Sequence, residues 1–444
     1  MSLFANTGAP AQALLREVHA LDPRSAINGI HDVLLRDGEV AQLGAPGSIE
    51  PPPGAEVIDG AGKHLFPAFV DPHVHLRTPG QEHKEDLETG TRAAAAGGYC
   101  AVIAMPNTAP VIDQPALLRG LAAMASDQAR IPVGFLGAIS VGLGGERLSE
   151  MALLREAGAL GFTDDGKPVV SAGLLRRALQ YQRLCGGVIA LHEEDPSLSG
   201  AGVMHEGEAS AALGLAGIPA ISEATMIARD ALIAAHEDGR MHFQHLSARR
   251  SIEALAAARA AGARVSGEVT PHHLLLSDAA VADLDTSFKM NPPLRSEDDR
   301  VALVDALRDG TIEAVATDHA PHSREEKMVP FEEAPMGTIG LETAFAVLHT
   351  DLVLPGTLTL ECLLERLTAG AALFELPTPS IAVGAPANLC LVDLEAVWRV
   401  GEAGYESRSA NCCFAGRELR GRVLLTVARG QIAYRERSFA LSPA

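Results

Sequence analysis

The chain has 444 residues, 47% of them hydrophobic, and a formal net charge of −20. The length predicts one large domain with a smaller one beside it, and the acidic balance with few aromatic residues excludes nucleic acid and anionic membrane surfaces as partners. No apolar run reaches the ~20 residues that cross a bilayer. The six cysteines form no CxxC pair and no signal segment opens the chain, so a cytoplasmic location is expected.

Short strand-like segments at both ends of the chain predict a small β domain. Residues 13–64 contain such segments separated by Asp-Gly, Pro-Gly and proline-rich turns. Residues 377–436 show a similar pattern of short strands and turns. Neither set is large enough to bury a core of its own. We therefore expect one composite β-sandwich built from both termini.

Residues 65–376 alternate strand-sized apolar runs with helix-period stretches. Eight such strand and helix steps predict a closed (β/α)8 barrel of the TIM type. The alternative, an open doubly wound sheet, would carry a glycine-rich phosphate loop after its first strand, and none occurs there. The predicted strands are Leu65–Leu76, Cys100–Met105, Val133–Ala138, Ala159–Asp164, Gly187–His192, Met241–His245, Arg264–Val269 and Glu313–Asp318.

The first predicted barrel strand ends in two histidines, His73 and His75. Side chains alternate between the faces of a strand, so these two point the same way. A lone histidine here would be interpreted as a hydrogen-bonded core residue. Two on one face have the spacing with which imidazoles share a metal ion, and the pair therefore predicts a metal site.

Acidic and imidazole side chains recur at later strand ends, where barrel enzymes place their active sites. Strand five ends at His192, strand six at His245 and strand eight at Asp318. Strand four ends in Asp164-Asp165, and alternation leaves open which of the two faces inward. Considered one at a time, the aspartates are interpreted as helix-cap residues and His245 as a core residue. Neither interpretation explains why these residues recur at the same place on successive strands.

This set predicts a site for two metal ions. Imidazole with carboxylate suits zinc, although other divalent ions such as manganese or cobalt also fit. Two such ions share a hydroxide, because coordination brings the pKa of bound water to about 7. Asp318 is expected to act as general acid and base, taking the hydroxide proton and delivering it to a leaving nitrogen.

Other polar residues near the predicted mouth suit a substrate that carries a carboxylate and a ureido ring. Arg77 lies on the same face as His75 if the strand continues, and a guanidinium binds carboxylate through two parallel hydrogen bonds. A surface ion pair is the alternative for this arginine. Asn107 and Asn291 supply the donors and acceptors that ring amides need.

The chain resembles the dihydroorotases, within the amidohydrolase superfamily. The resemblance spans most of the chain, and HxH alone would mark only the superfamily. Many relatives bridge their metals with a carboxylated lysine on strand four, where this chain has aspartates, and Lys167 is the nearest lysine. The motifs that carry the resemblance are residues 71–77 (DPHVHLR), 105–108 (MPNT), 162–166 (FTDDG), 289–295 (KMNPPLR) and 316–322 (ATDHAPH).

The resemblance implies a role for each candidate residue. The implied ligands of two zinc ions are His73, His75 and Asp318 for one ion, His192 and His245 for the other, and Asp165 as the bridge between them. The implied substrate contacts are His75, Arg77, Asn107 and His322, the last three on the carboxylate, and Asn291 with the backbone of Met336 and Gly337 on the ring amides.

The implied activity is the reversible cyclisation of N-carbamoyl-L-aspartate to (S)-dihydroorotate plus water in pyrimidine (UMP) biosynthesis, by a metal-bridging hydroxide. One alternative is another cyclic amidohydrolase, a hydantoinase (dihydropyrimidinase) or allantoinase, which resembles the chain less at Arg77 and at residues 105–108. The other is a non-catalytic scaffold for aspartate carbamoyltransferase, which would be expected to lose metal ligands. A small-molecule substrate and a homodimer are expected, and a complex with aspartate carbamoyltransferase is left open.

Overall fold

A computed structural model describes residues 3–437 and 439 of the chain. Within these residues, no helix is both long enough and apolar enough to cross a membrane. The strands are β1 (Ala13–Asp22), β2 (Ile27–Arg36), β3 (Glu39–Gly44), β4 (Glu56–Asp59), β5 (His64–Pro67), β6 (Phe69–Val74), β7 (Tyr99–Ala104), β8 (Val133–Gly137), β9 (Gly161–Phe162), β10 (Val188–Leu191), β11 (Met204–His205), β12 (Gly217–Ile218), β13 (Arg240–Phe243), β14 (Arg264–Val269), β15 (Ala314–Val315), β16 (Leu389–Arg399), β17 (Glu418–Ala428) and β18 (Gln431–Arg435).

The α-helices lie mainly between the barrel strands. They are α1 (Leu87–Ala96), α2 (Pro115–Gln128), α3 (Met151–Glu156), α4 (Ala172–Cys185), α5 (Pro196–Ser199), α6 (Glu208–Leu213), α7 (Ile221–Glu237), α8 (Arg249–Ala260), α9 (Pro271–Leu275), α10 (Glu297–Asp309), α11 (Arg324–Lys327), α12 (Ala344–Leu348), α13 (Leu360–Thr368) and α14 (Gly370–Leu373).

Eight parallel strands form the barrel, in the order β6-β7-β8-β9-β10-β13-β14-β15. The ring closes where Val74 pairs in parallel with His319, and the His75 N–H donates to the His319 carbonyl at 2.9 Å. Strands β6, β7 and β8 are buried along their whole length, as expected when helices cover one face of a parallel sheet and side chains fill the interior. The predicted (β/α)8 barrel is confirmed.

A buried carboxylate fastens the first barrel strand to the last. Asp71 of β6 has no exposed surface and accepts hydrogen bonds from the His73 N–H at 3.1 Å, the Thr317 N–H at 3.2 Å and the Thr317 hydroxyl at 2.6 Å. Burial raises the pKa of Asp71 to about 7, and the bonds from Thr317 act in the opposite direction. Asp71 therefore bridges the closure of the barrel immediately below the two histidines.

Strands from both ends of the chain form a second sheet, in the order β18-β17-β16-β5-β1-β2-β3, with β4 also paired to β1. Strand β5 joins the two halves, because it pairs with β1 in parallel and with β16 in the antiparallel sense. Leu15 and Val33 from one end share a core with Leu391 and Val427 from the other. A β unit built from both termini is confirmed, and the strands predicted to form a sandwich are hydrogen-bonded into one continuous sheet.

The predicted strand Leu65–Leu76 is two strands. The chain pairs in the terminal sheet through β5, passes Ala68, and enters the barrel with β6. The change of sheet thus falls a few residues after the predicted boundary at 64/65, and the division of the chain into two domains stays a prediction.

Several barrel strands end sooner than the apolar runs suggest. Strand β13 stops at Phe243 and β15 at Val315, whereas extended runs to His245 and Asp318 were predicted. His245 and Asp318 have φ of +34° and +45°, in the left-handed region, so the backbone leaves the extended conformation at these site residues.

We expect Asp71→Ala to destabilise the fold, because it leaves the buried N–H groups of His73 and Thr317 without an acceptor. Each such donor costs about 1–3 kcal/mol, so the free energy of unfolding should fall by about 2–6 kcal/mol. Urea denaturation of metal-free protein measures this fall. The control is Asp305→Ala on the exposed face of α10, where Asp305 accepts a hydrogen bond from Arg308. Its loss should have little effect. Equal midpoints for the two variants would contradict the assigned role of Asp71.

Candidate active site

Six residues from five barrel strands meet at the mouth formed by the carboxyl ends of the strands. Asp165 lies at their centre: its Oδ1 is 3.5 Å from His73 Nε2 and 3.6 Å from His245 Nε2, and its Oδ2 is 3.5 Å from His75 Nε2. The structure thus brings together side chains that the sequence separates by up to about 250 positions. All six are buried: His73, His75, Asp165, His192, His245 and Asp318.

The other two members complete the cluster from opposite sides. Asp318 Oδ1 is 3.0 Å from His75 Nε2 and 3.4 Å from His73 Nε2. His192 Nδ1 lies 3.0 Å from His245 Nε2. Asp318 therefore contacts His73 and His75, whereas His192 contacts His245.

The donors of this cluster fit a divalent metal ion. Two groups, one of His73, His75 and Asp165 and the other of Asp165, His192 and His245, each have ligand atoms within 4.8 Å of one another. His73 Nε2 is buried without a hydrogen-bond partner, as a nitrogen that coordinates a metal would be. Imidazole and carboxylate are the ligands that zinc, manganese and cobalt accept in proteins.

The paired aspartates after β9 face different surroundings, which the sequence pattern left open. Asp164 accepts the N–H groups of Ile139 and Ser140 at 2.8 and 2.9 Å, and also the Ser140 hydroxyl. These bonds hold Asp164 against the end of the neighbouring strand β8 and away from the histidines. Lys167 is exposed beyond the turn at Gly166. Asp165 is therefore the residue of strand four that faces the mouth.

Opposite charges inside the cluster lower the pKa of Asp165 and raise the pKa of His73. Burial raises the pKa of Asp165, but the adjacent His73 and the hydrogen bond from His245 outweigh it and place the pKa well below its usual range. Burial lowers the pKa of His73, and the neighbouring Asp165 and Asp318 raise it well above its usual range. Without a metal ion, the carboxylates are thus balanced by a protonated imidazole.

Arg77 lies beside the cluster, although not by the predicted route. The strand ends at Val74 and Arg77 has a φ of +55°, so the expected strand continuation is wrong. Its Nε donates to the Pro321 carbonyl at 3.1 Å. In the part of the chain that the structure describes, its guanidinium makes no ion pair with a carboxylate. Burial lowers the pKa of Arg77, yet an arginine keeps its charge.

His322 stands next to Arg77 as a neutral ring. Burial, followed by the charge of Arg77, lowers the pKa of His322 to about 3. Its Nε2 lies 2.9 Å from the Met336 carbonyl, which can only accept, so Nε2 carries the hydrogen. That nitrogen therefore cannot accept from Arg77 Nη2 at 3.4 Å. The Arg77 Nη2 hydrogens are therefore not bound by His322.

The two predicted asparagines occupy different positions. Asn107 Oδ1 is 2.9 Å from His75 Nδ1 and its Nδ2 is 3.2 Å from Asp165 Oδ2, so this amide orients two cluster members. Asn291 Nδ2 donates to Glu194 at 2.8 Å, and Asn291 Oδ1 is buried without a hydrogen-bond partner. Asn291 thus offers an acceptor to a bound molecule.

The backbone at Met336 and Gly337 is already engaged. Besides the Met336 carbonyl bonded to His322, the Gly337 N–H donates to the Lys289 carbonyl at 2.8 Å and its carbonyl accepts from Asn411 at 3.1 Å. Gly337 has a φ of +136°, and a Cβ there would come within 2.7 Å of Ala320. These groups shape the wall beside His322, and their contact with substrate stays a prediction.

Sequence reasoning missed the residues that hold the histidines from behind. Glu268 of β14 bonds His73 Nδ1 at 2.8 Å, and Glu194 lies 3.4 Å from His192 Nε2. Gln244 reaches His73 Nδ1 at 3.3 Å. The available signal for Glu268 was a carboxylate in the interior of a predicted barrel strand, where a charge needs a partner.

Comparisons with known proteins agree with this geometry. A family model described as dihydro-orotase-like matches residues 62–251. The chain is similar to the dihydroorotase of Anaeromyxobacter dehalogenans (strain 2CP-C), with 46% identity over 94% of this chain and 96% of that protein. It is 44% identical to the dihydroorotase of Pelotomaculum thermopropionicum, over 96% and 99% of the two chains. The solved L-hydantoinase from Arthrobacter aurescens superposes with a TM-score of 0.84 at 26% identity, covering 95% of this chain and 96% of that one.

The neighbouring aspartates provide a matched pair of variants. Asp165→Asn should lose bound metal, because it removes the carboxylate that both groups of histidines share. Asp164→Asn should retain metal but unfold at lower denaturant, because it weakens the bonds to Ile139 and Ser140. Elemental analysis and urea denaturation of both proteins check this. The opposite pattern would assign the site to Asp164.

Proposed function

The chain belongs to the dihydroorotase family, and we propose that it catalyses the reversible cyclisation of N-carbamoyl-L-aspartate to dihydroorotate and water with two zinc ions. The observation that carries the proposal is the central place of Asp165. Its two oxygens lie 3.5–3.6 Å from imidazole nitrogens of both histidine groups, which suits a carboxylate that bridges two ions. Six candidate ligands also exceed the four that one tetrahedral zinc uses.

In this scheme, His73, His75 and Asp318 hold one ion, His192 and His245 hold the other, and Asp165 bridges them. When bound, the ions lower the pKa of a water molecule to about 7, polarise the amide carbonyl, and so make a nucleophile available at neutral pH. All six candidate ligands are present in the cluster, which supports a catalytic role over that of a non-catalytic scaffold.

Asp318 is the proposed proton carrier. Burial raises its pKa, but the nearby His73 and His75 lower it well below the usual range, so the carboxylate is ionised and acts first as a base. In the hydrolytic direction it takes the proton of the attacking water and delivers it to the departing ring nitrogen, and cyclisation reverses both transfers. Its φ of +45° is a conformation that surrounding structure must enforce, as at many active sites.

Arg77 is the proposed anchor for the substrate carboxylate. Its Nε is bonded to Pro321, so the Nη1 and Nη2 pair remains for a bidentate contact. A largely buried cation without a carboxylate partner is costly in an enzyme for uncharged rings, but not in one whose substrate brings the anion. This favours dihydroorotate over the neutral rings that hydantoinases cleave. The other proposed substrate contacts are His75, which is bonded to Asn107, and His322, which lies beside Arg77. The buried, unpartnered Asn291 Oδ1 supports a role as acceptor of a ring N–H.

The same proposal includes a homodimer in the cytoplasm. Both follow from the family resemblance, and light scattering of the purified enzyme tests the oligomeric state. A complex with aspartate carbamoyltransferase is a further possibility that co-purification would test.

The test of the proposed function joins metal analysis with a dihydroorotate hydrolysis assay. We expect two ions per chain, restoration of activity in chelated enzyme by zinc alone, and no requirement for bicarbonate, because Asp165 needs no carboxylation. Asp318→Asn should lower kcat roughly 10²–10⁴-fold, the usual worth of general acid-base transfer. One ion per chain in fully active enzyme would contradict the two-metal scheme, and retained kcat in Asp318→Asn would remove its assigned role.

Variants of Arg77 test the carboxylate anchor. Arg77→Lys keeps the charge but loses the bidentate fork, so KM should rise more than kcat falls, and kcat/KM should drop roughly 10–150-fold for the loss of about 1.5–3 kcal/mol. Uncharged dihydrouracil is the internal control. It should be a poor substrate of the wild type, and Arg77→Ala should narrow the gap between it and dihydroorotate. Equal hydrolysis of the two rings by the wild type would favour the hydantoinase alternative.

A further inference from the structure

Strand β14 gives no ligand to the proposed metal site, yet its Glu268 contacts the site from behind. The side chain has no exposed surface. Its Oε1 lies 2.8 Å from His73 Nδ1 and accepts the His245 N–H at 3.4 Å, and its Oε2 lies 3.0 Å from His242 Nε2. One carboxylate therefore touches a histidine from each half of the proposed site.

The hydrogen bonds around Glu268 determine which nitrogen of His73 faces the mouth. A carboxylate accepts hydrogen bonds, so His73 Nδ1 carries a hydrogen directed at Glu268. The Gln244 amide nitrogen also lies near Nδ1, at 3.3 Å, but it can only donate and therefore cannot take that hydrogen. In the neutral ring, Nε2 then has a lone pair, and this atom lies 3.4–3.5 Å from Asp318 and Asp165. A metal ligand needs this tautomer.

The plane of the carboxylate is itself fixed. His242 holds Oε2 and is held in turn by Ser266, whose hydroxyl lies 2.8 Å from His242 Nδ1. The bond to the His245 N–H falls where the backbone has its positive φ of +34°. Glu268 thus has one oxygen anchored by β13 and β14 and the other directed at two candidate ligands.

We propose that Glu268 is a positioning residue of the metal site, which fixes the ring of His73 and the backbone of His245 through one oxygen and thereby sets the affinity of the site for zinc. This inference rests on the proposed function, because it requires that the histidines bind metal. Carboxylates that orient metal-bound imidazoles typically contribute 10–100-fold to metal affinity, and we expect a loss of about this size in Glu268→Gln.

The experiment compares three proteins loaded with zinc: the wild type, Glu268→Gln and Glu313→Gln. Glu313 serves as the control because it is also a bonded carboxylate, just before β15, although its side chain is 33% exposed. It accepts the Gly267 N–H at 2.9 Å and pairs with Arg259, and among the described residues it forms no hydrogen bond or ion pair with a histidine. Competition with a chromophoric chelator measures the zinc affinity of each protein. Urea denaturation of the chelated forms measures stability without metal.

A 10–100-fold loss of zinc affinity in Glu268→Gln, with Glu313→Gln near the wild type and similar unfolding midpoints for all metal-free forms, supports the proposal. Unchanged zinc affinity in a folded Glu268→Gln overturns it, and a lowered midpoint alone would assign Glu268 to the core. If Glu268→Gln does not fold, Glu268→Asp takes its place, because aspartate keeps the charge but is one methylene too short to reach His73. A 10–100-fold loss of zinc affinity in Glu268→Asp would support the proposal, and unchanged affinity would overturn it. Wild-type protein that binds no zinc would instead refute the proposed function itself.

Discussion

The closure of the barrel is the constraint on which the site depends. The first strand carries His73 and leads to His75, and the last strand leads to Asp318. These candidate ligands meet because β6 and the segment after β15 lie side by side. The His75 N–H bonds the His319 carbonyl, and Asp71 receives both donors of Thr317. The 3.0 Å approach of Asp318 to His75 is therefore a product of backbone pairing between residues almost 250 positions apart.

The site concentrates ionisable groups in an environment that disfavours charge. Asp165 and Asp318 are buried, and without a metal ion their charges raise the pKa of the adjacent His73. A metal ion bound at His73 would take the place of its proton, so metal binding should release that proton and the metal affinity should rise with pH until His73 is neutral. Polar side chains around the cluster are held by their neighbours, as in the contacts of His73 with Glu268 and of His75 with Asn107.

Sequence patterns predicted those parts of the site that are determined by residue spacing within a single strand. The i and i+2 spacing of His73 and His75 and the polar residues at later strand ends were sufficient to place the mouth. The prediction that failed concerns the backbone beyond a strand end: the strand was expected to continue to Arg77. Alternation of side chains along a strand cannot predict the positive φ of Arg77. The choice of Asp165 over Asp164 needed the family resemblance, because it is decided by the N–H groups of Ile139 and Ser140 on another strand. Glu268 was missed because its partner His73 lies 195 positions earlier.

The sheet built from both termini has a consequence for synthesis on the ribosome. Strand β5 must pair with β1 on one side and with β16 on the other, and the shared core needs Leu391 and Val427 as well as Leu15. While the barrel sequence is being translated, the N-terminal strands therefore have an unpaired edge and an exposed apolar face. Both features favour aggregation of nascent chains. This sheet is completed only after β18 has been translated. The unpaired edge and the apolar face of the N-terminal strands are therefore exposed for most of the time in which the chain is synthesised.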